Sequence, residues 1–156
     1  MIKLKNLFYK LASLGYRALQ AVFGFKTLGP RAIILNSEKQ ILLVKHTYQP
    51  HWYLPGGGVK KGESVKAALH RELLEEIGLT IKGEPQLFGI YHNTNMGGDD
   101  YAVIYIVKDF SMVEAYSPEI EQQGWFHYDD LPAMVSPATQ RRLREYFSNS
   151  PVLEHW

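Results

Sequence analysis

The stretch from Gly57 to Leu79 constrains this chain more than any other. Pro55-Gly56-Gly57-Gly58 reads as a loop with unusual backbone freedom, and Ser64 can cap a helix that runs to about Ile77 and stops at Gly78. That helix carries Glu72, Glu75 and Glu76. Positions i, i+3 and i+4 share one face, so at about 100° per residue the three carboxylates fall within an arc of about 100°. Val65, Leu69, Leu73 and Ile77 form an apolar stripe beside that arc, suited to anchoring the helix on a sheet. Three like charges so close repel one another unless something positive sits among them. On these residues alone two readings stay open. One is a solvated acidic face, common on surface helices. The other is a site for Mg²⁺ or Mn²⁺, because hard divalent ions take carboxylate and carbonyl oxygens and Mg²⁺ usually shares substrate phosphates.

Periodicity sets this helix among strands. Ala32 to Leu35 and Ile41 to Val44 are short apolar runs, and Asn36-Ser37-Glu38-Lys39 between them reads as a hairpin turn. Leu87 to His92 and Tyr101 to Val107 read as two strands joined by the Asn95 to Asp100 loop. Trp125-Phe126-His127 reads as a last short strand, and Pro137 to Phe147 suits a closing helix with proline in its first turn. In the run before the glycine loop, Trp52 and Leu54 are expected to face the core and Tyr53 the opposite side. Strands alternating with helices, with an antiparallel component, point to an α/β protein with a sheet packed between helices.

The spacing is more specific than the helix alone. Gly57, five residues, Glu63, seven residues, then Arg71-Glu72-Leu73-Leu74-Glu75-Glu76-Ile77-Gly78-Leu79 resembles the Nudix box, G-x5-E-x7-R-E-U-x-E-E-x-G-U with U apolar. Every defined position matches. The order of flanking elements extends the resemblance over roughly residues 30–147. It implies the Nudix fold, an α/β/α sandwich with a mixed sheet, and divalent-metal-dependent hydrolysis of a diphosphate linkage in a nucleotide-type substrate. Carried over, Glu75 and Glu76 are the principal metal ligands, and Glu72 is a further ligand or a base that orients water. The Gly56 carbonyl is another ligand. Glu63 and Arg71 support the helix by pairing, and Arg71 also reaches Glu75 one turn on. The family often adds a carboxylate from a loop outside the box. Glu119 and Glu121 are the candidates, and Glu119 is preferred for its spacing before Trp125. The implied chemistry is metal-assisted hydrolysis, with a glutamate taking a proton from the attacking water.

Residues outside the box give softer expectations. Tyr48 and Tyr53 are candidates for a wall that stacks on a base or faces phosphate, with core packing as the alternative. Lys45, Lys60 and Lys61 are candidates to meet phosphates, Lys45 foremost, with an ordinary exposed lysine as the alternative. Tyr91 and Tyr101 fall where members of the family often contact the variable part of the substrate, while His92 suits a satisfied residue at a strand end.

The formal net charge of +1 provides no global basic field, so DNA is not an expected partner and an RNA end gains no support from charge. The absence of cysteine excludes disulfides and thiolate chemistry. No apolar run reaches the roughly 18 residues needed to span a bilayer. Ile2 to Phe25 carries apolar residues at helical spacing, with Lys3, Lys5, Lys10 and Arg17 interrupting them, which reads as a basic amphipathic helix and not as a signal peptide. The chain is accordingly expected in the cytoplasm. The division expected is an N-terminal helix over residues 1–28 and a Nudix hydrolase domain over residues 29–156. For the helix, packing on the domain or homodimer contact ranks above lying on an anionic membrane surface. Competing with the enzyme is a catalytically idle nucleotide-binding or regulatory module. Retention of Glu72, Glu75 and Glu76 argues against it.

Overall fold

The computed structural model describes residues 26–93 and 99–156 of the chain. The expected N-terminal helix and most of the Asn95 to Asp100 loop lie outside the described residues. The described strands form three hydrogen-bonded groups. Strand β1 (Thr27–Ile34) pairs in parallel with β6 (Asp100–Val107), which pairs antiparallel with β5 (Gln86–Asn93). Strand β2 (Ile41–His46) lies between β3 (Trp52–Tyr53) and β8 (Ile120–Phe126), antiparallel to both. Short strands β4 (Leu79–Ile81) and β7 (Phe110–Met112) pair with each other. The helices are α1 (Val65–Ile77) and α2 (Pro137–Phe147).

Side-chain alternation along the strands explains the layering. Ala32 and Ile34, Leu42 and Val44, and Val103, Tyr105 and Val107 pack with Leu69, Leu73 and Ile77 of α1. The residues between them (Ile33, Ile41 and Leu43, Ile104 and Ile106) pack in a second cluster with Leu143 of α2. Strands buried on both faces thus form the middle layer between two helices, as the alternating pattern led one to expect. Each fully buried aliphatic side chain contributes about 1.5–3 kcal/mol. Trp52 and Leu54 also join the α2-side cluster, while the Tyr53 ring faces His46.

Both helices begin on the serine that precedes them. Ser64 Oγ accepts from the Ala67 amide at 3.1 Å and Ser136 Oγ from the Thr139 amide at 3.1 Å, caps worth about 1 kcal/mol each. Helix α1 closes at Gly78, which is left-handed with φ 66°.

Several expectations are corrected. Leu28-Gly29-Pro30 lies inside β1, so the expected division between residues 28 and 29 falls within a strand. Proline is tolerated there because β1 is at the end of its ladder and needs no sheet partner for its nitrogen. Asn36 to Gln40 does form a turn, with Asn36 Oδ1 accepting from the Glu38 and Gln40 amides. Yet β1 and β2 are not a hairpin. Beyond one bridge, Leu35 to Ile41, they part to different partners, β6 and β8. The last strand begins at Ile120 rather than Trp125, because its polar residues Glu121, Gln122 and Gln123 interrupt the apolar signal while the backbone stays paired to β2.

The free edge of β5 is covered by the C-terminal residues. The His92 amide donates to the Glu154 carbonyl at 2.8 Å, and the Trp156 amide donates to the His92 carbonyl at 2.9 Å. Arg142, fully buried, donates to the His155 carbonyl at 2.9 Å and to Glu145 at 2.6 Å.

Candidate functional site

The glycine loop is fixed against the outer edge of β1. The Ala32 amide donates to the Pro55 carbonyl and the Val59 amide to the Leu28 carbonyl, both at 3.0 Å. Gly56 has φ 132°, and a Cβ there would run into the Pro30 carbonyl and the Arg31 backbone. At Gly57 the obstacle is different: a Cβ would occupy the space of the Glu72 carboxyl group. Gly56 thus lets the loop lie directly on β1, and Gly57 lets it lie directly on the acidic face of α1.

Arg71 ties the loop to the helix. Its Nε and Nη2 donate to the two Glu63 oxygens at 2.8 and 2.9 Å, a bidentate pair. Nη2 also donates to the Gly58 carbonyl at 2.9 Å, and Nη1 to Glu72 at 2.5 Å and to Glu75 at 3.3 Å. One guanidinium thus spaces Glu63, Glu72 and Glu75. The hydrogen bonds from Arg71 hold the Glu63 carboxyl down at about 2. Pairing with Glu63 raises the pKa of Arg71 itself.

Glu76 points the other way, into the protein. It is only 8% exposed, and Oε2 accepts from the Gly56 amide at 2.8 Å. His46 Nε2 lies 4.0 Å from Oε1. Burial pushes the Glu76 carboxyl up to about 8; the Gly56 bond and Arg31 oppose the rise, and Glu72 and Glu119 add to it. His46 is driven down to about 4 by burial and by Arg31, so it is neutral at ordinary pH. Burial, and then the charges of Glu119 and Glu76, push the Tyr48 hydroxyl up to about 12. Its ring lies 5.2 Å from that of His46.

Glu119 and Glu121 are separated by their surroundings. Burial raises the Glu119 carboxyl, and Glu72 and Glu75 raise it further, which sets Glu119 within the field of the helix carboxylates. The Glu119 carbonyl accepts from the Thr47 amide at 2.9 Å, fixing this end of β8 beside β2. Glu121 instead pairs with Lys45 at 3.2 Å.

Box loop and helix therefore bring Gly56, Glu72, Glu75, Glu76 and Arg71 together, with Tyr48 and Glu119 facing them. Tyr53 borders the group through His46, at 5.9 Å between rings. Lys45 is engaged with Glu121. Tyr101 stacks on His92 at 4.9 Å, and His92 is 3.0 Å from Asp99. Tyr91 does not line a ligand surface: it is 0% exposed, its hydroxyl donates to Glu145 at 2.8 Å, and the Arg142 guanidinium lies over its ring at 3.9 Å. Strand alternation turns it to the α2 side, opposite His92. Arg31, absent from the sequence reading, acts on Glu76, His46 and Tyr48 together. It precedes an apolar run and belongs to no motif, so spacing gave no signal for it.

The donor set fits a hard divalent cation. The groups are carboxylates and a backbone carbonyl, and a buried carboxyl driven up to about 8 marks a place short of positive charge. Among the described residues no three acidic or histidine side chains converge into a finished coordination cluster. Glu72 and Glu75 turn to Arg71, and Glu76 turns to the Gly56 amide.

A family model described as "NUDIX domain" matches residues 26–147. A Bacillus subtilis (strain 168) protein named "Putative 8-oxo-dGTP diphosphatase" is 31% identical over 120 residues, covering 77% of this chain and 79% of the relative. An RNA pyrophosphohydrolase from Actinobacillus pleuropneumoniae serotype 5b (strain L20) is 44% identical over 50 residues, covering 32% of this chain and 24% of that protein. The solved structure of a MutT NUDIX hydrolase from Burkholderia pseudomallei matches with a TM-score of 0.67 and 31% identity, covering 77% of this chain and 97% of that one.

Proposed function

The chain belongs to the NUDIX family of hydrolases, and from that premise we propose that it cleaves the diphosphate linkage of a nucleotide with the help of Mg²⁺ or Mn²⁺. The observation that carries the reading is the pairing of Glu76 with the Gly56 amide at 2.8 Å, beside Glu72 and Glu75 under Arg71. It gathers carboxylates and a flexible carbonyl at one end of α1, with Glu119 facing them. Glu75, Glu76 and the Gly56 carbonyl would hold the cation, and Glu72 would complete its surroundings. The cation supplies charge neutralisation for the diphosphate.

The residues of the chain do the rest. Arg71 keeps Glu72 and Glu75 apart and aimed from one side. Glu119 makes no ion pair among the described residues and sits where its raised pKa suits a base, so we assign to its carboxylate the proton of the attacking water. Attack on one phosphorus in line with the leaving phosphate needs no covalent nucleophile. Tyr48, Tyr53 and Tyr101 are the aromatic groups offered to the nucleoside part. A nucleoside triphosphate fits this chemistry as a substrate, with a nucleoside monophosphate and inorganic diphosphate as products. The similarity to the Bacillus subtilis protein supports trying its named substrate class first.

The test is a phosphate- and diphosphate-release screen with Mg²⁺ and Mn²⁺. Nucleoside triphosphates, oxidised triphosphates, ADP-ribose, dinucleoside polyphosphates, nucleotide sugars and 5′-triphosphate RNA cover the linkage types. Turnover of at least one of these with either cation is expected. No turnover of any, by a folded protein, overturns the reading.

A further inference from the structure

We propose that Arg31, which lies in β1 outside the motif, is a positioning residue that sets the Gly56 carbonyl for the cation. The inference rests on the metal-dependent reading above. Arg31 Nη1 donates at 3.0 Å to the Gly57 carbonyl and at 3.0 Å to its own neighbour, the Pro30 carbonyl. It makes no ion pair among the described residues. An arginine beside an acidic cluster would ordinarily take a carboxylate. This one spends its donor on loop backbone.

The consequence follows from peptide planarity. Before Gly56, the Pro55–Gly56 peptide is held at both ends, its carbonyl by the Ala32 amide at 3.0 Å and its N–H by Glu76 at 2.8 Å. After Gly56, the Gly57 carbonyl is held by Arg31. The Gly56 carbonyl stands between these fixed groups in a residue whose φ of 132° few side chains would tolerate. Take away Arg31 and the Gly57 carbonyl loses this donor, so the nearest anchors after Gly56 become the Gly58 carbonyl, held by Arg71 at 2.9 Å, and the Val59 amide, held by the Leu28 carbonyl at 3.0 Å. A glycine then has several orientations open for its carbonyl, and a ligand that must be ordered on binding binds less well.

Charge alone predicts the opposite. Arg31 lies near enough to lower the pKa values of both Glu76 and His46, so its positive charge must repel a cation in the same place. Deleting it should tighten cation binding if electrostatics dominates, and weaken it if positioning dominates. The sign of one measurement separates the two.

That measurement is Mn²⁺ binding to the full chain, read from the free-Mn²⁺ electron paramagnetic resonance signal without substrate. Removing an outer-shell partner of a metal ligand typically costs about 10–100-fold in affinity. Arg31→Ala is expected to weaken Mn²⁺ binding about 10-fold, with the Mg²⁺ activation constant rising in parallel and nucleotide KM at saturating Mg²⁺ moving less than about 3-fold. Arg31→Lys keeps the charge and one donor at a different reach, and should weaken binding by a smaller factor with an unchanged melting temperature. Mn²⁺ binding as tight as wild type, or tighter, in either folded variant overturns the proposal. If Arg31→Ala fails to fold, Arg31→Lys carries the decision alone. A wild-type chain that binds no Mn²⁺ instead removes the metal-dependent reading on which the inference rests.

Discussion

Glu76 Oε2 accepts the Gly56 amide at 2.8 Å, across 20 residues of sequence, and this bond joins the glycine loop to the buried end of the acidic helix face. It is the point at which the backbone geometry of the loop and the charge of the helix become one arrangement. Its consequences can be tested residue by residue.

The two loop acids should behave differently. Glu119 faces the helix carboxylates, and Glu121 is paired with Lys45 at 3.2 Å. Glu119→Gln is expected to lower kcat by about 100-fold, within the range for a lost general base. Glu121→Gln should stay within about 2-fold of wild type. Steady-state kinetics on the best substrate decides, and equal effects would remove the distinction.

A methyl group at position 57 should be disruptive out of proportion to its size. The Cβ of Gly57→Ala would fall on the Glu72 carboxyl group, forcing either the loop or the glutamate to move. A misplacement of about 1 Å in a catalytic constellation costs on the order of 100-fold. Activity should therefore drop about that far while circular dichroism stays native.

The buried carboxyl of Glu76 makes stability depend on pH and on metal. Its folded pKa of about 8 exceeds the ordinary carboxyl value of 4.5, so the folded state holds the extra proton between those values. Stability of the metal-free protein must then fall as pH rises through that window. His46 has the opposite sign below 6.5, because its folded pKa is about 4. Between pH 6.5 and 8 the His46 effect is over and the Glu76 effect remains, at about 2 kcal/mol. Thermal unfolding in EDTA should show a lower melting temperature at pH 8 than at pH 6.5, and added Mg²⁺ should raise it more at pH 8. A melting temperature independent of metal at both pH values would contradict this.

Tyr91 should matter to folding and not to substrate. Its hydroxyl serves Glu145 at 2.8 Å in the interior. Tyr91→Phe leaves Glu145 with Arg142 but removes one buried donor, which costs about 1–3 kcal/mol. Nucleotide KM should not change. A raised KM without lost stability would return Tyr91 to the substrate surface.

What the sequence revealed follows from how local each signal is. Helix α1, its Ser64 cap and its Gly78 stop are written in consecutive residues, and the structure reproduces them. The apolar runs that become β2 and β6 were equally legible. Pairing was not. Nothing local says that β1 joins β6 in parallel rather than β2 in a hairpin, because that choice is made by residues more than 70 positions away. The three-residue strands β4 and β7 are too short to show a period. In the site the motif named the carboxylates. It could not reveal that Arg31 reaches the Gly57 carbonyl across 26 positions, or that Tyr91 turns inward to Arg142.

The central claim is that the carboxylates of α1 hold a divalent cation that hydrolysis requires. Turnover of the best substrate in wild type, Glu75→Gln and Glu76→Gln, each with EDTA and then with Mg²⁺ restored, tests it most directly. Wild type should lose turnover in EDTA and regain it with Mg²⁺. Both folded variants should remain at least about 100-fold slower at saturating Mg²⁺, the scale of losing a main electrostatic element. Turnover that survives EDTA, or full activity in both variants, would contradict the account.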